Sequence, residues 1–174
     1  MKKWIIWAVL LATIALAGCA KTQVSNISFG VFSDAIKSPS VYVATKINST
    51  NPNIEKVYTT VASGFQSSII VASEAVLSGD SVSFANDNLK TVRAWIEKNK
   101  WSILNTDNID ITCGDKKIPA IISTMTSTVG GQIRYITQLY FVSDLKGYIV
   151  SHVSEDKSDA DSVNSSLKDI TCKK

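Results

Sequence analysis

This sequence is short of the side chains that carry chemistry. Its 174 residues include one histidine and three cysteines. No CxxC pair occurs, so a zinc site of the usual Cys/His kind lacks ligands. There is no GxSxG elbow, no HExxH, no glycine-rich phosphate loop and no SxxK with a plausible partner motif, which removes the common hydrolase, metalloprotease and nucleotide-binding signatures. An excess of one charge is missing too. The 18 basic residues include Lys2 and Lys3, and the other 16 face 15 acidic ones. A near-neutral chain lacks the basic footprint of a nucleic-acid binder. Finally, the apolar run from Trp4 to Ala17 has 14 residues, where a spanning helix needs roughly 20, and no basic stop-transfer cluster follows it.

What is present begins at the amino terminus. Lys2 and Lys3 form a basic start, Trp4 to Ala17 an apolar stretch, and Leu16-Ala17-Gly18-Cys19 closes it with small residues before a cysteine. That layout is an export signal, and its end resembles the lipobox of bacterial lipoprotein precursors. The resemblance implies removal of residues 1–18, a lipid thioether on Cys19 and acylation of the new amino group. It also implies an outer-membrane position facing the periplasm, because Ala20 stands where an Asp would favour inner-membrane retention. With Cys19 spent on lipid, Cys113 and Cys172 remain as a pair in an oxidising compartment, and a disulfide is the expected use.

After removal of the signal, 156 residues remain, enough for one ordinary domain. Residues 19–28 read as the lipidated end and a tether, and 29–174 as a single globular α+β domain. Ile27 to about Ala62 has strand character, with Val41-Tyr42-Val43 and Val57 to Val61 forming a hairpin across a turn-rich break at Ile47 to Asn53. A helix at Ser33 to Lys37 is the alternative there. Ser68 to Ala72, running on into Val76-Leu77, reads as a strand that Ser78-Gly79-Asp80 ends. Asp80 or Ser81 then caps a helix whose buried face is Ala85, Leu89, Val92 and Ile96.

Gly130-Gly131 marks a hairpin turn. It would place Ile122 opposite Leu139, Ala120 opposite Phe141, Ile121 opposite Tyr140, Met125 opposite Ile136, Thr126 opposite Tyr135 and Ser127 opposite Arg134. Such a pair is apolar on both faces near its base and so demands cover on both sides. Lys146-Gly147 is expected to turn the chain into a strand at Tyr148 to Val153. Ser158-Asp159-Ala160-Asp161 has the form of a capping box, ahead of a helical face at Ala160, Val163, Leu167 and Ile170.

Strand, helix, three-strand meander and terminal helix, from about Ser67 to Ile170, resemble the second half of the PsbP-like family, which includes small envelope lipoproteins of the DcrB type. The phrases that carry the likeness are Ile69-Ile70-Val71, Ile133 to Val142 and Lys146-Gly147-Tyr148-Ile149-Val150. The resemblance implies a mostly antiparallel sheet covered by helices, an α-β-α sandwich, and a non-catalytic adaptor or binding role. It assigns no site residues and no cofactor.

Among single candidates, His152 alternates with Tyr148 and Val150 along a strand, and a general base needs an orienting partner that the sequence does not place. It reads as structural or surface. Glu155, Asp156, Asp159 and Asp161 lack the ligand series and glycine of an EF-hand loop and suit the positive end of a helix, so no metal is expected. Trp95 and Trp101 read as caps on the core. Arg134 and Tyr135, near the hairpin tip, are the expected partner-contact residues. The function these features suggest is a non-enzymatic, lipid-anchored periplasmic protein that binds an envelope protein. A carrier of a small apolar ligand is the second reading and a cell-wall hydrolase the third.

Overall fold

The computed structural model describes residues 23–29, 32–45, 51–60, 65–99 and 101–171. Among them, eight strands form one sheet, every neighbouring pair antiparallel, in the order β1-β2-β3-β4-β8-β7-β6-β5. The strands are β1 Gln23–Phe29, β2 Phe32–Thr45, β3 Ile54–Thr60, β4 Ser68–Ala75, β5 Ser102–Cys113, β6 Lys116–Val129, β7 Gln132–Ser143 and β8 Lys146–Ser154. Helix α1 (Ser81–Asn99) follows β4, and α2 (Lys157–Lys168) follows β8. The expected α+β class, a mostly antiparallel sheet covered by helices, is what the chain forms.

Alternation along the central strands sorts neighbouring apolar residues onto opposite faces. Ile69, Ile122, Leu139 and Val150 pack with Val163, Leu167 and Ile170 of the α2 segment. Their neighbours Ile70, Ile121, Tyr140 and Ile149 pack with Phe84, Ala85 and Leu89 of α1. One helix therefore lies on each face, giving three layers. A third cluster, Val92, Ile96, Met125, Ile136 and Val153, is flanked by Trp95 and Trp101, whose rings meet edge to face at 4.0 Å.

The β6–β7 register is the one that the Gly130-Gly131 turn dictates, down to Ile122 opposite Leu139 and Ser127 opposite Arg134. Asp80 caps α1 by accepting from Val82 N at 2.9 Å and Ser83 N at 3.2 Å. The expected hairpin of β2 and β3 pairs Tyr42 with Thr60, while residues 47–50 of its break lie outside the described residues.

Three expectations are corrected and one alternative is excluded. The segment read as tether is strand from Gln23 onward. Ser33 to Lys37 belongs to β2, not to a helix. The turn before β8 is Asp144-Leu145, both at positive φ (52° and 57°), as a two-residue hairpin of mirror-image turn type requires. Gly147 is instead inside β8, where the Phe84 ring lies so close that an added Cβ would sit 2.5 Å from Phe84 Cε2. And α2 is capped by Asp156, which accepts from Ser158 N at 2.8 Å; Ser158, the expected cap, lies inside the helix, and Asp159 is buried.

The strands end on two rims. One, here the entry rim, carries Gln23, Thr45, Ile54, Ala75, Cys113, Lys116 and the Asp144-Leu145 turn. The other, the hairpin rim, carries Phe29, Phe32, Thr60, Ser68, Ser154 and the Gly130-Gly131 turn. Gly147→Ala should cost about 1–3 kcal/mol by overpacking against Phe84, read by chemical denaturation. Pairing it with Phe84→Leu should recover part of the loss, and a neutral Gly147→Ala would refute the contact.

Candidate functional site at the hairpin rim

Two features converge near the hairpin rim: a buried polar network and an open cleft beside it. The network begins with Asp159, in the first turn of α2 and fully buried. Its Oδ1 accepts from Ser38 Oγ at 2.5 Å, and its Oδ2 accepts from Tyr42 Oη at 2.8 Å. His152 Nε2 lies 3.1 Å from the same Oδ2 and 2.9 Å from Tyr42 Oη. Ser38 in turn accepts from Ser40 N at 2.9 Å. Residues of β2, β8 and α2 are thus tied together through one carboxylate.

Proton placement follows from these distances. Tyr42 has one hydrogen and gives it to the carboxylate. His152 Nε2 faces that carboxylate as well, so it must be a donor, with its proton on Nε2. Nδ1 has no partner among the described residues. Burial alone would raise the Asp159 carboxyl, but the donors His152, Ser38 and Tyr42 outweigh it and hold the group well below the usual carboxylate range. Burial first, then the Asp159 charge, pushes the Tyr42 phenol far above its ordinary value. The start of α2 adds the positive end of the helix dipole.

The cleft has a volume of about 570 Å³. Its described walls are Ser40 and Val41 of β2, Thr60 of β3, Phe65 and Ser67 ahead of β4, and Glu155 and Asp156 ahead of α2. It touches the network through Ser40, and Ser67 Oγ meets Ser154 Oγ at 2.8 Å. Arg134 closes one side, with its guanidinium 4.6 Å from the Phe65 ring centroid and Nε 3.3 Å from Glu155 Oε1.

The chemistry available here is limited by burial. His152 has a carboxylate and a phenol beside it, a combination that sequence reasoning did not assemble, yet its ring has no exposed surface. A group sealed from solvent does not reach a substrate in the cleft, so the network acts as a clamp that sets the start of α2 and the cleft wall at Glu155 and Asp156.

The four acidic residues do not converge. Glu155 pairs with Arg134, Asp156 caps α2, Asp159 is in the network, and Asp161 pairs with Lys157 at 2.6 Å. Among the described residues no group of three or more His, Cys, Asp or Glu is arranged to hold a metal ion. Arg134 reaches the cleft residues Phe65 and Glu155, but it and Tyr135 are both half-buried, and Tyr135 pairs with Thr126 and Ser154 in the sheet. More exposed at this rim are Val129 and Ile133.

At the other rim, Cys113 ends β5, and Thr112 beside it forms a parallel bridge with Thr171. Cys172 and Cys19 lie outside the described residues. No protein-family model matches this chain and no curated protein does. Among solved structures it is similar to PA94, a Pseudomonas aeruginosa protein of unknown function, with 13% identity and a TM-score of 0.44 over 65% of this chain and 82% of that one.

A signal for the missed residues did exist. Asp159 stands four and eight positions before Val163 and Leu167, on the helical face that the apolar residues define. His152 shares a strand face with Val150, which packs against that helix. A depressed carboxyl stabilises the fold fully above about pH 4, its unfolded range, and that contribution is lost progressively as pH falls from there through the depressed folded-state value. Asp159→Asn should therefore cost about 3 kcal/mol at pH 7 and flatten the acid limb of a stability-versus-pH curve. An unchanged acid limb in the variant would show that Asp159 does not carry it.

Proposed function

We propose that this chain is a bacterial envelope lipoprotein whose domain binds a protein partner and performs no reaction of its own. The observation that carries the anchoring is Leu16-Ala17-Gly18-Cys19 behind a basic start and an apolar stretch. Residues 1–18 are removed and Cys19 carries the lipid. Acyl chains contribute about 0.8 kcal/mol per buried CH₂, so three of them hold the domain on the membrane permanently. Ala20 after the cysteine favours the outer membrane and its periplasmic face.

In that oxidising compartment Cys113 pairs with Cys172, 59 positions apart. The Thr112–Thr171 bridge supports the pairing by setting the residues just before both cysteines side by side. Such a crosslink would contribute roughly 4 kcal/mol on the chain-entropy account.

A protein partner is favoured over an apolar ligand because the apolar sheet faces that suggested a lipidic cargo are occupied by α1 and α2 side chains. It is favoured over catalysis because the one imidazole is sealed inside. The contact surface we assign is the hairpin rim: Val129 and Ile133 exposed, with Arg134 and Tyr135 behind them and the cleft alongside. An aliphatic patch next to an arginine and a tyrosine has the composition of a protein-binding centre.

One set of cells tests both parts. With a photo-crosslinking amino acid at Tyr135, irradiation should give a discrete adduct with one envelope protein, absent when the crosslinker is at Lys117 on the entry rim. Cys19→Ala should abolish fatty-acid labelling and release the protein from membranes. Adducts only from Lys117 would contradict the contact surface; unchanged labelling and membrane association in Cys19→Ala would contradict the lipid anchor.

A further inference from the structure

The entry rim exposes apolar side chains that the fold does not need. Leu77, just past β4, is 95% exposed, Leu145 in the β7–β8 turn 59%, and Val82 in the first turn of α1 42%. They form one patch. Val76 N donates to Leu145 O at 3.0 Å, which places Leu77 beside the turn. Ser81 Oγ accepts from Val142 N at 2.9 Å, which holds the start of α1, and with it Val82, against the same strand ends.

Leu145 is the informative member. It has φ +57° in a two-residue turn, where Gly or Asn fits and a bulky side chain costs free energy. Leucine in the left-handed region, with more than half of its surface in water, is unfavourable on both counts. Strain of this kind, carried by an exposed apolar side chain, points to function.

The direction of β1 says what the patch meets. β1 runs from Gln23 on the entry rim towards the hairpin rim. Four positions separate Gln23 from Cys19, a reach of at most about 14 Å. We propose that the entry rim rests on the bilayer, with Leu77, Val82 and Leu145 in the headgroup and upper acyl region, so that the hairpin rim and its cleft face away from the membrane. The proposal rests on the lipid anchor at Cys19. Charges around the patch are of both signs, Asp80 and Asp144 against Lys116 and Lys117. The contact is therefore with the apolar boundary of the membrane and not with a uniformly anionic surface.

The test uses protein purified from membranes with its native modification, methyl-labelled at Leu, Ile and Val. It is placed in phosphatidylethanolamine/phosphatidylglycerol nanodiscs that contain a lipid with a nitroxide near its glycerol. Intact mass reports acylation, and methyl NMR reports the patch. With the acyl mass present, Leu77, Val82 and Leu145 methyl signals should lose most of their intensity, while Leu104 and Ile133 keep theirs. Leu145→Gly should fold at least as stably, since the turn then relaxes, yet weaken the loss at Leu77.

Acylated protein whose Leu77 and Leu145 signals are untouched, or whose Ile133 signal is lost instead, overturns the proposed orientation and leaves the anchor standing. Protein without acyl mass overturns the anchor, and the orientation with it.

Discussion

A single buried carboxylate holds the layers of this protein in register. Asp159 is fully buried at the start of α2, and an ionised group there is tolerable only because Ser38, Tyr42 and His152 all direct hydrogens at it. The arrangement cannot be satisfied by α2 alone or by the sheet alone. It exists only when α2, β2 and β8 are assembled, so it favours that one placement of the helix over a slide along an otherwise apolar surface. Most of the burial energy comes from the apolar clusters on the two faces. The carboxylate selects which of their possible packings is adopted, and so where Glu155 and Asp156 stand at the cleft.

The two rims carry different features. Around the entry rim gather the β1 start, Cys113, the Thr112–Thr171 bridge and the exposed Leu77 and Leu145. Around the hairpin rim gather the cleft, Arg134 stacked on Phe65, and the clamp behind them. On the function proposed above, the anchor and the binding surface fall at opposite rims, so that the surface offered to a partner would be the one turned away from the bilayer.

Much of the fold was legible from pattern. The register of β6 and β7 follows from two glycines, because a two-residue turn fixes every opposed pair. The helical faces of α1 and α2 followed from spacing. What was not legible depended on choices that local rules do not make. Gly147 looked like a turn residue, and only the tertiary approach of Phe84 explains a glycine inside a strand. Asp144-Leu145 was overlooked because leucine is not a residue that turn chemistry offers for positive φ. Asp159 and His152 were each read locally, one as a carboxylate suited to a helix start and the other as an isolated imidazole, although each stood on an apolar face. Their meaning lay in Tyr42 and Ser38, more than a hundred positions away in sequence.

The most direct measurement of the clamp is the nitrogen NMR of the one histidine in the chain, which needs no assignment among rivals. Long-range proton–nitrogen correlation on ¹⁵N-histidine protein at neutral pH should show His152 with its proton on Nε2 and a bare Nδ1, a pattern that Asp159→Asn disturbs. A proton on Nδ1 with a bare Nε2 would mean that the imidazole does not donate to Asp159, and the carboxylate could not then be the group that fixes α2.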